Sequence, residues 1–199
     1  MKVFLVAAAR PNFIKIAPLV HKMRNGATGI EWKLIHTGQH YDYEMSKTFY
    51  EDFDIPEPDY FLNVGSGSHA EQTANTILEF EKICIKDTPD IVVVFGDVNS
   101  TLACSITAKK LNIKIAHVEA GLRSGDMTMP EEINRIVTDS ISDYLFVTEK
   151  SGIENLRKEG KSEEQIFFVG NIMIDSLYHS LEKLKKLESE TNKTLPNKI

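Results

Sequence analysis

IVVVFGDVNST, residues 91–101, places five consecutive apolar residues before a Gly-Asp turn and a helix-like run. A strand with one wet face would alternate apolar and polar residues, whereas a continuous apolar run suits a strand buried on both faces of a parallel sheet. YLFV, at 144–147, reads the same way. Further β-rich runs at Val3–Ala8, Lys33–Thr37, Lys114–Val118 and Ile166–Val169 flank these two. Helical spacing fills the gaps, predicting helices at Phe13–Arg24, Glu44–Phe53, Ala70–Lys86, Ser100–Leu111, Glu131–Ser140, Ser151–Glu159 and about Met173–Glu188. That βαβ rhythm predicts an α/β, three-layer Rossmann-like domain with a mostly parallel sheet.

The 199 residues suit one domain or a small pair. Domain one is expected to span 1–180, and the polar stretch 181–199 reads as a tail or the start of a hinge. A formal charge of −6, without any basic block, argues against nucleic acid as a partner. The opening MKVFLVAAARPNF meets Arg and Pro after a short apolar run, too soon for a signal sequence or a membrane span, so a cytoplasmic protein is expected. Cys84 and Cys104 are far apart on expected helices and suggest neither a disulfide framework nor a zinc site.

In an open parallel sheet, ligands bind beyond the carboxyl ends of the strands. Strand one ends in AARPN, where Arg10, the first-turn amides and Lys15 could hold an anion; equally, Pro11 sets a turn and Arg10 caps the sheet. After IVVVF, Gly96 permits a tight turn, and Asp97 can cap a helix, bind ribose or act on a substrate. In KIAHVEAG, Ile115, His117 and Glu119 share one face by alternation, putting a carboxylate at a strand tip. MPEEINR reads as a helix start, with Pro130 first, Glu131 and Glu132 complementing the macrodipole, and Glu131–Arg135 as an i, i+4 pair. The helix explanation leaves one thing over: Asp97, Glu119 and Glu131 converge on one end of one sheet, with Arg10, Lys15, Arg123 and Arg135 nearby in the topology. Carboxylates among fixed cations suit proton movement on a substrate that carries phosphate.

Two further segments invite other readings. GSGSHA at 65–70 fits a dinucleotide fingerprint, but it comes third in the chain, and Asp87 and Asp90 precede the next strand instead of ending it, so no nicotinamide cofactor is expected. IHTGQHYDYEM at 35–45 offers His36, Gln39 and His40 as a polar loop at the ligand edge, without a ligand set firm enough for a metal.

Taken in order, RPNFIKIAP, TGQHYD, GDVNST, HVEAGLRSGD, PEEINR and FVGNIMID resemble the N-terminal half of the non-hydrolysing UDP-N-acetylglucosamine 2-epimerases, over residues 2 to 180. The resemblance implies two Rossmann-like domains facing a cleft as in the GT-B fold, here without the second, UDP-binding one. It also implies a homodimer, no cofactor, and interconversion of UDP-GlcNAc and UDP-ManNAc by anti elimination of UDP and its return. Under it, Asp97, Glu119 and Glu131 are the catalytic acids, Arg10 and Lys15 the phosphate-side cations, and Gln39, His40, Arg123 and Arg135 further substrate contacts. Two departures stand out. Asn12 replaces the acid of the family's common G-T-R-P-E, a variant of members acting on other UDP-2-acetamido sugars, and GSGSHAEQ lacks the Arg that an allosteric UDP-GlcNAc site would use. A hydrolysing epimerase, a GT-B glycosyltransferase and a non-catalytic sugar-nucleotide binding or dimerisation module are the competing readings.

Overall fold

The computed structural model describes residues 1–8, 10–24, 26, 29–38 and 50–194, with backbone only at 10, 11 and 187–194. Strands β1 (Lys2–Ala7), β2 (Glu31–His36), β3 (Tyr60–Phe61), β4 (Ile91–Phe95), β5 (Lys114–Val118), β6 (Tyr144–Val147) and β7 (Ile166–Phe168) form one sheet in the order 3-2-1-4-5-6-7. Every pairing among them is parallel. The helices are α1 (Arg10–Arg24), α2 (His69–Asp87), α3 (Asn99–Lys110), α4 (Pro130–Ile141), α5 (Lys150–Lys158) and α6 (Ile172–Thr194). None among the described residues is long and apolar enough to cross a membrane.

The continuous apolar runs are explained by their neighbours. Val3, Leu5, Ala7, Val93, Phe95, Ala116 and Val118 pack with Phe13, Ile16, Ala17 and Val20 of α1 on one face. Phe4, Val6, Val92, Val94 and Ile115 pack with Phe80, Ile83, Cys84, Cys104 and Ala108 of α2 and α3 on the other. Each fully buried Val, Leu, Ile or Phe among them stabilises the fold by roughly 1.5–3 kcal/mol. Both cysteines are free and buried, and burial pushes the Cys84 thiol up to about 12.

Two details depart from the expectation. β3 escapes pattern reading because it has only two residues. The helix expected at Glu44–Phe53 lies outside the described residues over 44–49, and 50–52 are helical. α1 contains Pro18, which has no N–H for the Ile14 carbonyl one turn back. Ser176 Oγ of α6 donates to that carbonyl instead, which ties α6 onto α1. The rings of His21 and His179 meet beside this contact, 4.6 Å between centroids. α6 then runs on to Thr194, past the position where the sequence turns polar.

Chain order reverses between β1 and β4: successive units step outward to β3 on one side and to β7 on the other. The carboxyl ends of these two central strands frame the crevice where a ligand fits such a sheet.

Candidate active site

The turn after β4 is built around Gly96, whose φ of +65° favours glycine. A Cβ there would sit 3.2 Å from Lys15 Nζ and 3.7 Å from Glu119 Oε2, so the bare backbone forms one wall of the Lys15–Glu119 ion pair. Lys15 comes from the second turn of α1 and Glu119 follows β5, and both side chains are about nine-tenths buried. Gly96→Ala should lower stability by roughly 1–2 kcal/mol, because the left-handed conformation is strained for alanine. It should also weaken the pair; unchanged urea unfolding midpoint and unchanged ligand affinity would contradict this reading.

Glu119 itself has φ +72°, a conformation rare for a residue with a side chain. Strand alternation would aim it with His117 toward α4. Instead β5 ends at Val118, and the turned backbone brings the carboxylate to α1 on the opposite face of the sheet. Backbone strain of this kind, about 1–3 kcal/mol, persists only where surrounding contacts over-determine it and concentrates at functional sites.

Asp97 does not cap α3. The N-cap is Val98, without a side-chain bond, and the Asp97 carboxylate pairs with Arg135 of α4. Asn134 Nδ2 donates to the Asp97 carbonyl at 2.8 Å. Arg135 also meets Glu132, not Glu131, through Nη2 and Nε at 2.7 and 3.0 Å. Glu132 is buried and accepts from the backbone N–H groups of Ser124 and Gly125 as well. Burial pushes the Glu132 carboxyl up, but the Ser124 and Gly125 N–H groups and Arg135 outweigh it and hold it at about 2. Glu132 is therefore a fixed anion that pins the loop before α4. Glu131 is half-buried at the start of that helix, and its carboxylate makes no hydrogen bond or ion pair among the described residues.

On the other side of β5, His117 Nδ1 meets Asp139 Oδ1 at 2.6 Å and Nε2 meets the Gly96 carbonyl at 2.7 Å. Asp139 Oδ2 accepts from Gly121 N–H at 3.0 Å and forms an ion pair with Arg123 Nη2 at 2.8 Å. Arg123 further holds Glu159 and the Leu122 carbonyl, so its donors are engaged with the protein and are not offered to Asp97 or Glu119.

Thus Lys15, Asp97, Glu119 and Arg135 come together as two cation–carboxylate pairs, with Glu131 on the same helix as Arg135. Arg10 opens α1 at the end of β1, but its side chain lies outside the described residues, as do Gln39 and His40. Asn12 is buried and donates to the Phe95 carbonyl at 3.1 Å, a bond an ionised acid could not make. GSGSHA closes a helix start: Ser68 and Glu71 form a capping box on α2, with Ser68 N–H to Glu71 Oε2 at 2.8 Å. No group of three or more His, Cys, Asp or Glu among the described residues is placed to hold a metal ion. Glu132, Asn134, His117 and Asp139 were missed as positioning groups. The i, i+3 spacing of Glu132 and Arg135 was the available signal, masked by the helix-dipole explanation.

Fold and site together define a parallel α/β domain that sets carboxylate–cation pairs at its topological switch point. The chain belongs to the UDP-N-acetylglucosamine 2-epimerase family, whose profile matches residues 22–199. It is 47% identical over 189 residues to the UDP-N-acetylglucosamine 2-epimerase of Methanocaldococcus jannaschii, covering 95% of this chain and 51% of that one. It is 46% identical over 178 residues to the UDP-2,3-diacetamido-2,3-dideoxy-D-glucuronate 2-epimerase of Pseudomonas aeruginosa, covering 88% and 50%. The crystal structure of the M. jannaschii UDP-GlcNAc 2-epimerase in complex with UDP-GlcNAc and UDP superimposes with a TM-score of 0.89 at 44% identity, over 98% of this chain and 54% of that one. A likeness to Acinetobacter baumannii MurG, TM-score 0.56 at 12% identity over 86% and 46% of the two chains, shows the fold alone, that of one half of a GT-B protein. The chain spans about half the length of the curated relatives it matches.

Proposed function

We propose that this chain is the acid-bearing half of a non-hydrolysing UDP-N-acetylglucosamine 2-epimerase, with activity belonging to a protein about twice its length. The observation that carries the reading is the pair of ion pairs, Lys15–Glu119 and Arg135–Asp97, at the carboxyl ends of β5 and β4. The proton on sugar carbon 2 is very weakly acidic, so it leaves as the anomeric C–O bond breaks, with a carboxylate accepting it and cations holding the departing diphosphate. Asp97, Glu119 and Glu131 are the acids. Arg10 and Lys15 are the cations we assign to the phosphates, and a diphosphate drawing Lys15 away would release Glu119 for proton transfer. Gln39, His40 and Arg135 complete the substrate side, and elimination and re-addition call for no redox cofactor because they proceed by proton transfer and C–O cleavage without any hydride transfer.

UDP-GlcNAc is the substrate we favour, with UDP-ManNAc as its product and cell-surface polysaccharide precursors as its use, in the cytoplasm. A UDP-2,3-diacetamido uronate sugar is the second reading, supported by Asn12 in place of the common acid and by the P. aeruginosa relative. A homodimer is supported by exposed apolar side chains such as Leu78 and Ile85 on one face of α2.

The test is a proton NMR time course in deuterated buffer with the full-length protein beside this chain, on each of the two UDP-sugars. Deuterium entering carbon 2 together with signals of the 2-epimer establishes the activity, and the faster sugar identifies the substrate. Exchange confined to the longer protein assigns activity to both halves. Release of free ManNAc would favour a hydrolysing enzyme, and no exchange with either sugar would overturn the reading.

A further inference from the structure

We propose that the buried His117–Asp139 pair is the positioning element that sets Asp97 and Glu119 against each other: the imidazole fixes the turn carrying Asp97, and the carboxylate fixes the turn carrying Glu119. In naming these two as catalytic acids the inference rests on the epimerase reading; its geometry does not.

Both side chains are fully buried, so neither touches a substrate and any effect on chemistry passes through other groups. Both backbone groups of Gly96 are gripped by β5. Its N–H donates to the Val118 carbonyl at 3.1 Å, and its carbonyl accepts from His117 Nε2 at 2.7 Å. Asp97 is the next residue. Asp139 grips the other turn through Gly121 N–H at 3.0 Å, two residues after Glu119. Glu119 and Gly121 both lie in the left-handed region, at φ +72° and +82°, so this turn needs an outside anchor.

The donor inventory explains why a histidine stands there. A backbone carbonyl and an ionised carboxylate are acceptors only, so the geometry asks each ring nitrogen to donate to its partner. Asp139 is ionised in this setting: burial pushes its carboxyl up, but His117, Arg123 and the Gly121 N–H more than offset that and hold it below the usual range. An imidazole is the compact side chain that donates in two fixed directions from a strand facing both a turn and a helix. A purely structural buried pair would hold the core but leave turnover per folded molecule unaffected.

Three variants of the full-length protein separate these accounts. His117→Asn keeps a donor toward Asp139 and drops the one to Gly96, His117→Gln does the reverse, and Asp139→Asn keeps shape while removing the charge. We expect kcat for UDP-GlcNAc to fall about 100-fold in His117→Asn and Asp139→Asn, with KM changed less than about threefold, as misplaced reacting groups require. Amide hydrogen exchange should quicken over 96–99 in His117→Asn and over 119–122 in Asp139→Asn. Folded variants with wild-type kcat and wild-type exchange in these turns overturn the clamp, as does lowered melting temperature with full kcat per folded molecule. Should the variants not fold, nitrogen NMR of the wild-type ring decides, because a His117 nitrogen without a proton overturns it. A wild-type protein inactive on both UDP-sugars would overturn the epimerase reading instead, leaving exchange and ring protonation to judge the clamp.

Discussion

Glu119→Gln in the full-length protein is expected to lower kcat by about 10³-fold, the size that follows when a group proposed to take or give a proton in the transition state is removed. Glutamine keeps the volume and an acceptor oxygen for Lys15, so the left-handed turn and the Gly96 wall have no reason to move. UDP affinity should stay level or improve, since Lys15 loses a competing anion and keeps its charge for the diphosphate. Isothermal titration with UDP and the deuterium-exchange time course measure the two halves of this expectation. Near-normal turnover would remove Glu119 from the chemistry, and a collapse of UDP affinity would make it a binding residue. The same pair of measurements on Asp97→Asn and Glu131→Gln divides the roles of the three acids.

Glu132→Gln should cost about 3 kcal/mol of stability at pH 7 and almost nothing at pH 2. In the folded chain the carboxyl titrates at about 2 in place of the ordinary 4.5, a difference corresponding to about 3 kcal/mol. The sign follows from the direction. A depressed carboxyl contributes fully above its unfolded value, and that contribution drains away as pH falls from 4.5 toward 2. Asp87, held at about 2 by Lys2 and Lys33, acts over the same range, so the variant flattens the acid limb without abolishing it. Urea unfolding followed by fluorescence of the one tryptophan, Trp32, from pH 7 down to 2, reads the difference directly. A variant whose curve runs parallel to wild type across that window would show that Glu132 is not the anchor of the 124–125 loop.

The sequence made the layering legible because burial on both faces leaves an unmistakable trace: IVVVF has no polar position to spare. The acids were legible by position, since strand ends and the PEEINR helix start can be located without side-chain geometry. What stayed hidden was the aim of individual side chains. Alternation sent Glu119 with His117, and only a positive φ, which no propensity announces for glutamate, turned it to Lys15. Helix spacing offered Glu131 and Glu132 equally to Arg135, and the backbone N–H groups of Ser124 and Gly125 singled out Glu132. Asp139 lies 22 positions from His117, a separation at which a single sequence carries no pairing signal.

Pro18 looks like an imperfection in α1, yet the carbonyl it leaves open at Ile14 is where Ser176 attaches, one residue before Lys15. A tug on α6 therefore arrives within one peptide of the cation paired to Glu119. α6 is thus stitched to α1 at the peptide that precedes Lys15, so the packing of the two helices and the place of that cation share one fastening.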